Sequence, residues 1–187
     1  MDFKNMILSP IIIFVSLILK TLYGYEAVNL LLRILPSKFI VLILKKNGAT
    51  LGVGIRIQSP FLIHNADQTE PIYSNLRIGD DCYIGRDCIF DLMGNITIGN
   101  HVTISHRAIL NTHTNAGKSF LSKTTLKPTV GSINIKDGAY LGTNVTVLES
   151  TTIGKQSIIG SCSLVNKNIQ SDATAFGVPC KVYKKNI

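Results

Sequence analysis

The chain has 187 residues, 45% of them hydrophobic, and carries 19 Lys and Arg against 11 Asp and Glu for a net charge of +8. That is enough apolar material for one domain with an appendage. The basic excess lacks the interleaved aromatics of single-strand binders, which argues against a nucleic-acid partner and leaves an anionic membrane surface as the better match. Four cysteines without zinc-site spacing, and with nothing demanding disulfides, suit a reducing, cytoplasmic compartment.

Residues 1–50 read as an apolar helical segment. Met6–Leu19 is the most apolar stretch, broken by Ser9, Pro10 and Ser16. It falls short of the roughly 20 residues a bilayer span needs, and extending it to Tyr25 takes in Lys20. Asp2 weakens a signal-peptide reading, and no small-x-small cleavage site follows. A second segment, Glu26–Lys46, is rich in Leu and Ile and interrupted by Pro36. Lys4, Lys20, Arg33, Lys38, Lys45 and Lys46 outnumber Asp2 and Glu26 here. Two helices are expected. They either lie on the inner face of a membrane through residues 1–46, or cap the end of the domain that follows.

That domain announces itself by a period of six. Ile135, Leu141, Val147, Ile153, Ile159 and Val165 form one series, and Ala139, Val145, Thr151, Ser157, Ser163 and Ile169 lie four places after each. Ile78, Ile84 and Phe90 keep the same phase upstream, as do Ile98, Ile104 and Leu110, with a slip of two residues near Gly94-Asn95. A weaker start lies at Leu51, Ile57 and Ile63. A fixed period means one small unit stacked on itself. Six matches neither helix nor simple strand. It suits a coil of three flat faces, each one hexad long, with the aliphatic inward and a small residue at each corner. Breaks fall near residues 64–77, 91–97 and 113–133.

The stretch from Ile135 to Tyr183, ending in Gly177-Val178-Pro179-Cys180-Lys181, resembles the hexapeptide-repeat acyltransferases of the sugar O-acetyltransferase type. The resemblance implies a mainly β fold: a left-handed parallel β-helix over residues 51–175 and a C-terminal tail over 176–187. It also implies acetyl-CoA as acyl donor and a homotrimer. After Leu110 the repeat stops, and a polar, lysine-bearing loop runs from His113 to about Val130, protruding from the coil. A loop of this length in a compact domain is usually functional. In the family a Thr-His pair at this position carries the catalytic base, which makes His113 the candidate.

The chemistry explains the choice. An alcohol is a poor nucleophile near neutral pH, and a neutral imidazole can take its proton as it attacks a thioester. Backbone N–H groups can hold the resulting oxyanion, and the resemblance assigns that role to Gly142 and Thr143. It assigns acetyl-CoA contacts to Tyr140 (where the family usually has Trp), Gly160, Ser161, Asn166 and Lys167, and phosphate contacts to Lys181 and Lys184. Each of these also has a plainer reading. The glycines fit tight corners, and the two terminal lysines fit a solvated tail. Asp91 matches an acidic position near the acceptor pocket, where it orients the sugar or His113, or holds a turn. Asn111 is a further candidate acceptor contact. Gly85 stands where galactoside and maltose enzymes have Asn, which weakens those substrates.

His101 and His106 raise the zinc-binding, carbonic-anhydrase-like β-helices as a rival. There a second histidine is wanted where Asn111 stands, so one ligand is missing and no metal site is expected. The two histidines read instead as corner residues facing solvent or a neighbouring subunit. The expectation is an acetyl-CoA-dependent O-acetyltransferase acting on a sugar hydroxyl in surface-polysaccharide or glycan synthesis. An amino-sugar N-acyltransferase is the alternative, and a metal-dependent or non-catalytic β-helix the third reading.

Overall fold

A computed structural model describes residues 3–185. Asp2, on which part of the signal-peptide reading turns, lies outside the described residues.

Three parallel sheets form the faces of a coil. The first contains Thr50–Leu51, Leu76–Ile78, Ile96–Ile98, Ile133–Ile135 and Thr152–Ile153. The second contains Arg56–Ile57, Tyr83–Ile84, Thr103–Ile104, Tyr140–Leu141, Ile158–Ile159 and Ala173–Phe176, with Lys181–Lys185 added antiparallel at its end. The third contains Phe61–His64, Cys88–Asp91, Ile109–Leu110, Thr146–Val147 and Leu164–Val165. Register partners such as Ile135 and Ile153, Leu141 and Ile159, and Val147 and Val165 lie one coil apart, which is three hexads. This architecture is the three-faced coil that the hexads imply, and it fits the left-handed parallel β-helix that the resemblance implies.

The hexad aliphatics fill the axis. Leu51, Ile57, Ile78, Ile84, Phe90, Ile98, Ile104, Leu110, Ile135, Leu141, Val147, Ile153, Ile159 and Val165 are all buried. The small residues four places on are buried too, including Cys82 and Cys88. Burial pushes the Cys88 thiol up to about 11, which makes it an inert filler.

Glycine does not turn most corners. Asp81, Asp87, His101, Arg107, Asn144, Ser150, Gln156 and Cys162, each three places after an inward aliphatic, adopt left-handed backbone with φ between 53° and 60°. Asn and Asp tolerate this region best, and here a repeated hydrogen-bonded coil imposes it on other types as well. Gly142 serves a different purpose. A Cβ there would lie 2.7 Å from the Ser161 nitrogen, so it is close approach between coils that requires glycine.

The N-terminal segment forms three helices where two were expected: α1 (Phe3–Tyr23), α2 (Tyr25–Ile34) and α3 (Ser37–Lys46). Gly24 separates the first pair, and Pro36, which has no N–H to continue a helix, splits the second segment. Val28 and Leu32 of α2, with Ile40, Ile43 and Leu44 of α3, join the buried cluster of the β-helix. The buried Asn29 amide donates to the Ile63 carbonyl and accepts from the Tyr73 hydroxyl, tying α2 to the coil. The two shorter helices therefore close one end of the β-helix, as solenoids require.

Candidate active site

The site is built where the third face turns towards the first. The strand Ile109–Leu110 runs on through Asn111 and Thr112 to His113, while Asp91 ends the strand Cys88–Asp91 one coil earlier. His113 Nδ1 lies 2.6 Å from Asp91 Oδ2, with side chains 25% and 6% exposed respectively. Asp91 also accepts from the Thr112 N–H at 2.9 Å, from Asn65 Nδ2 at 2.6 Å and from the Met93 N–H at 3.2 Å. The fully buried Thr112 hydroxyl sits 2.9 Å from Asp91 Oδ2 and accepts the Gly94 N–H at 2.8 Å.

Burial alone would raise the Asp91 pKa. The hydrogen bonds from His113, Asn65, Thr112 and Met93 outweigh it and hold the carboxyl below its usual 3.8. The group is thus an ionised acceptor at neutral pH. In a neutral imidazole, an ionised carboxylate at this distance favours the tautomer with the proton on Nδ1, which leaves the lone pair on Nε2.

Neighbours fix the backbone that carries the imidazole. Asn111 Nδ2 donates to the His113 carbonyl at 2.7 Å. One of its two amide hydrogens is therefore directed to the chain itself. His113–Thr114 pairs antiparallel with Thr129–Val130, and a short 3-10 helix, Phe120–Lys123, lies between them in an exposed loop. Glu149, on the next coil, accepts from both Thr114 and Thr129 at 3.1 and 2.9 Å and so clamps the stem of this loop.

The remaining candidates divide between two corners. Tyr140, Gly142 and Thr143 sit where the second face turns towards the third, and Gly160-Ser161 lies directly over them on the next coil. Phe176 stacks over Gly160 in turn. The expected tail is a strand: Lys181 pairs with Phe176 and Lys184 with Thr174. Phe176, Gly177, Val178, Pro179, Lys181, Val182 and Tyr183 line a cleft of about 340 Å³ there. Asn166 and Lys167 follow the strand Leu164–Val165 and lie instead on the His113 corner, two coils along. Within one chain, His113 and the Gly142–Thr143 backbone are a full face apart.

The histidines outside this site face outward. His106 Nε2 lies 3.3 Å from Thr143 Oγ1, and His101 Nδ1 lies 3.8 Å from Asp81 Oδ2. Among the described residues, no group of three His, Cys, Asp or Glu side chains could hold a metal ion.

Sequence reasoning did not find Asn65 or Glu149. Asn65 follows a strand whose His64 is the register partner of Asp91, but 27 residues separate the two strands, which is not a whole number of hexads, so the period alone could not place it beside the carboxylate. Glu149 had no signal of its own beyond being next in register above Thr112.

No family model matches the chain. Over 143 residues it is 31% identical to the galactoside O-acetyltransferase of Lactococcus lactis, a match covering 76% of this chain and 66% of that enzyme. The chain belongs to the hexapeptide-repeat acyltransferase family. It spans just under two thirds of that relative's length and 53–55% of other sequence relatives. Among solved structures, a hexapeptide-repeat acetyltransferase from Vibrio cholerae complexed with acetyl-coenzyme A superposes with a TM-score of 0.72 at 22% identity, covering 85% of this chain and 83% of that one. A galactoside acetyltransferase in complex with coenzyme A gives 0.65 at 22% identity, over 95% of this chain and 82% of that one. At that identity the two structures speak for the fold of this hexapeptide-repeat protein.

Proposed function

We propose that the protein is an acetyl-CoA-dependent O-acetyltransferase whose acceptor is a sugar hydroxyl, with His113 as general base. The observation that carries this reading is the 2.6 Å contact between His113 and the buried, multiply hydrogen-bonded Asp91. A carboxylate so held orients the imidazole and stabilises its cation, which is what a base between an alcohol and a thioester needs.

His113 Nε2 accepts the acceptor hydroxyl proton while that oxygen attacks the thioester carbonyl carbon. The Gly142–Thr143 backbone supplies N–H groups to the oxyanion. As the C–S bond breaks, the imidazolium returns its proton to the leaving thiolate, giving an acetyl ester and free coenzyme A. No covalent enzyme intermediate is needed, because the thioester already has a good leaving group.

The division of candidate residues between two corners supports a site shared by subunits. His113, Asp91, Asn166 and Lys167 belong to one corner, and Tyr140, Gly142, Thr143, Gly160 and Ser161 to the other. A groove between neighbouring copies brings one set from each, so the working unit is a homotrimer. Lys181 and Lys184 are exposed cations at the end of the second face and suit nucleotide phosphates. Free thiols and an acetyl-CoA donor fit the cytoplasmic side, where surface-polysaccharide and glycan precursors are modified.

The test has two arms. Acetyl-CoA at one hundred times its dissociation constant stabilises a single-site protein by about 2.7 kcal/mol. The melting midpoint with acetyl-CoA should rise clearly, and coenzyme A release should appear when galactosides, maltose and glucosamine are offered as acceptors. Hydroxylamine-labile products support O-acetylation; amide products would move the reading to N-acylation. An unmoved melting midpoint for a well-folded trimer would overturn the transferase reading.

A further inference from the structure

Helix α1 is apolar on both sides. The side turned towards the protein carries Ser9, Ile12, Ile13, Ser16, Leu19 and Lys20, all at least partly buried. Ser16 is only 3% exposed and donates to the Ile13 carbonyl, while Lys20 pairs with Glu70 at 3.4 Å. The opposite side presents Ile11, Phe14, Val15, Ile18 and Leu22, which are 39–67% exposed. Leu17 is exposed beside them, and residues 8–19 contain no charged side chain. A helix on an ordinary protein surface turns a polar face to solvent. A contiguous apolar face of this kind marks a surface that something covers.

The surroundings indicate what covers it. Helix α1 packs against α2 and α3. Helix α2 leaves Leu30 and Ile34 exposed beside Arg33. Arg33, Lys38, Lys45 and Lys46 are exposed, and Glu26 is the sole acidic residue between positions 8 and 46. An apolar face flanked by cations complements a bilayer interface with anionic headgroups. A second copy seated on α1 by a two-fold axis would instead bring the same cation-rich helices towards each other. No helix among the described residues is long and apolar enough to cross a membrane, so α1 would lie in the plane of the interface.

We infer that α1, with the exposed edge of α2, docks the protein on an anionic membrane surface. The β-helix then stands on α2 and α3 above that surface. Docking does not depend on the transferase reading, and the test is chosen to be separate from it.

The experiment is flotation of the full 187-residue chain with phosphatidylcholine vesicles and with mixed phosphatidylcholine–phosphatidylglycerol vesicles. Wild type should float with the mixed vesicles and far less with phosphatidylcholine alone. Phe14→Glu and Leu22→Glu should each lower partitioning by at least about tenfold, as loss of a buried large apolar side chain implies, while Phe14→Leu should retain most of it. Both acidic changes fall on exposed positions, so circular dichroism and the melting midpoint should stay near wild type. Light scattering gives the remaining arm, in which oligomer mass should be the same in all variants. Absence of flotation with either vesicle, equal flotation of Phe14→Glu and wild type, or equal binding to uncharged vesicles would overturn the assignment. A fall in oligomer mass with Phe14→Glu would also overturn it, by giving the face to a second copy.

Discussion

Asp91 and His113 are 22 positions apart in sequence and 2.6 Å apart in space because the coil between them carries two residues beyond three hexads. Phe90 pairs in register with Leu110, a step of three hexads plus two residues, whereas Ile135 pairs with Ile153 over three hexads alone. The extra residues fall directly after Asp91. They let the Met93 and Gly94 N–H groups turn onto Asp91 Oδ1 and Thr112 Oγ1. The register slip that interrupts the repeat is therefore the feature that packages the carboxylate behind the histidine.

Replacing the carboxylate while keeping its shape tests that arrangement. In Asp91→Asn the amide no longer compels the proton onto His113 Nδ1, and a protonated Nε2 cannot act as base. Turnover should fall by about 10²–10⁴-fold, the range of a general-base contribution. The acetyl-CoA-induced rise in melting midpoint should persist, since Asp91 is not placed at the donor. Wild-type turnover in the Asp91→Asn variant would show that the carboxylate only holds the turn.

The same carboxylate sets an acid limit on stability. The folded-state pKa of Asp91 lies below its usual 3.8, so the group contributes stability in full above the unfolded value. The contribution is lost as pH falls below 3.8 and through the folded pKa. Urea midpoints measured from neutral pH downward should show wild type losing more stability than Asp91→Asn in that acid window. Parallel curves would mean that Asp91 is not preferentially ionised in the fold.

Much of this was legible in the chain. A period of six gave the three-faced coil, the inward aliphatics and the small corner residues, since each hexad must bury one side chain against the axis. His113 stood out as a candidate because the period stops beside it and the stretch resembles the family's Thr-His pair. What escaped depends on distances across coils. Asn65 reaches Asp91 only because of a register between strands 27 residues apart, His64 and Asp91 among them, and no local pattern records it. Glu149 carries no periodic mark. The third helix escaped because Pro36 reads as an interruption inside one segment, whereas it ends α2 and starts α3 as separate helices. The packing of these helices is not legible, because an apolar, basic segment is written alike for a protein cap and for a membrane surface. In this chain α2 and α3 serve as the cap.

Gly142→Ala separates close approach from backbone freedom. The new Cβ would meet the Ser161 nitrogen and Oγ at 2.7 Å and the Ile159 carbonyl at 3.0 Å, so adjacent coils must separate. A loss of about 1–3 kcal/mol is expected from overpacking of this kind, read as a lower urea midpoint. Gly142 and Ser161 are both proposed donor contacts, so acetyl-CoA should also bind more weakly. A variant with unchanged stability and unchanged acetyl-CoA affinity would remove Gly142 from both roles.

Glu149 gives the last test, because its two oxygens are in different situations. Oε1 accepts from Thr114 and Thr129 across the stem of the loop, while Oε2 is buried without a hydrogen-bond partner. In Glu149→Gln the amide oxygen can still accept both threonines and no charge remains behind. That variant should keep its stability within about 1 kcal/mol of wild type, the net worth of an ordinary hydrogen bond. Glu149→Ala leaves the two threonines without their shared acceptor and frees the strand that begins at His113. Turnover should drop, by about tenfold for a base displaced by a fraction of an ångström, with acetyl-CoA affinity unchanged. Hydrogen exchange at Thr114 and Thr129 should quicken in the alanine variant and stay slow in the glutamine one. Equal exchange in both would place the clamp elsewhere in the loop.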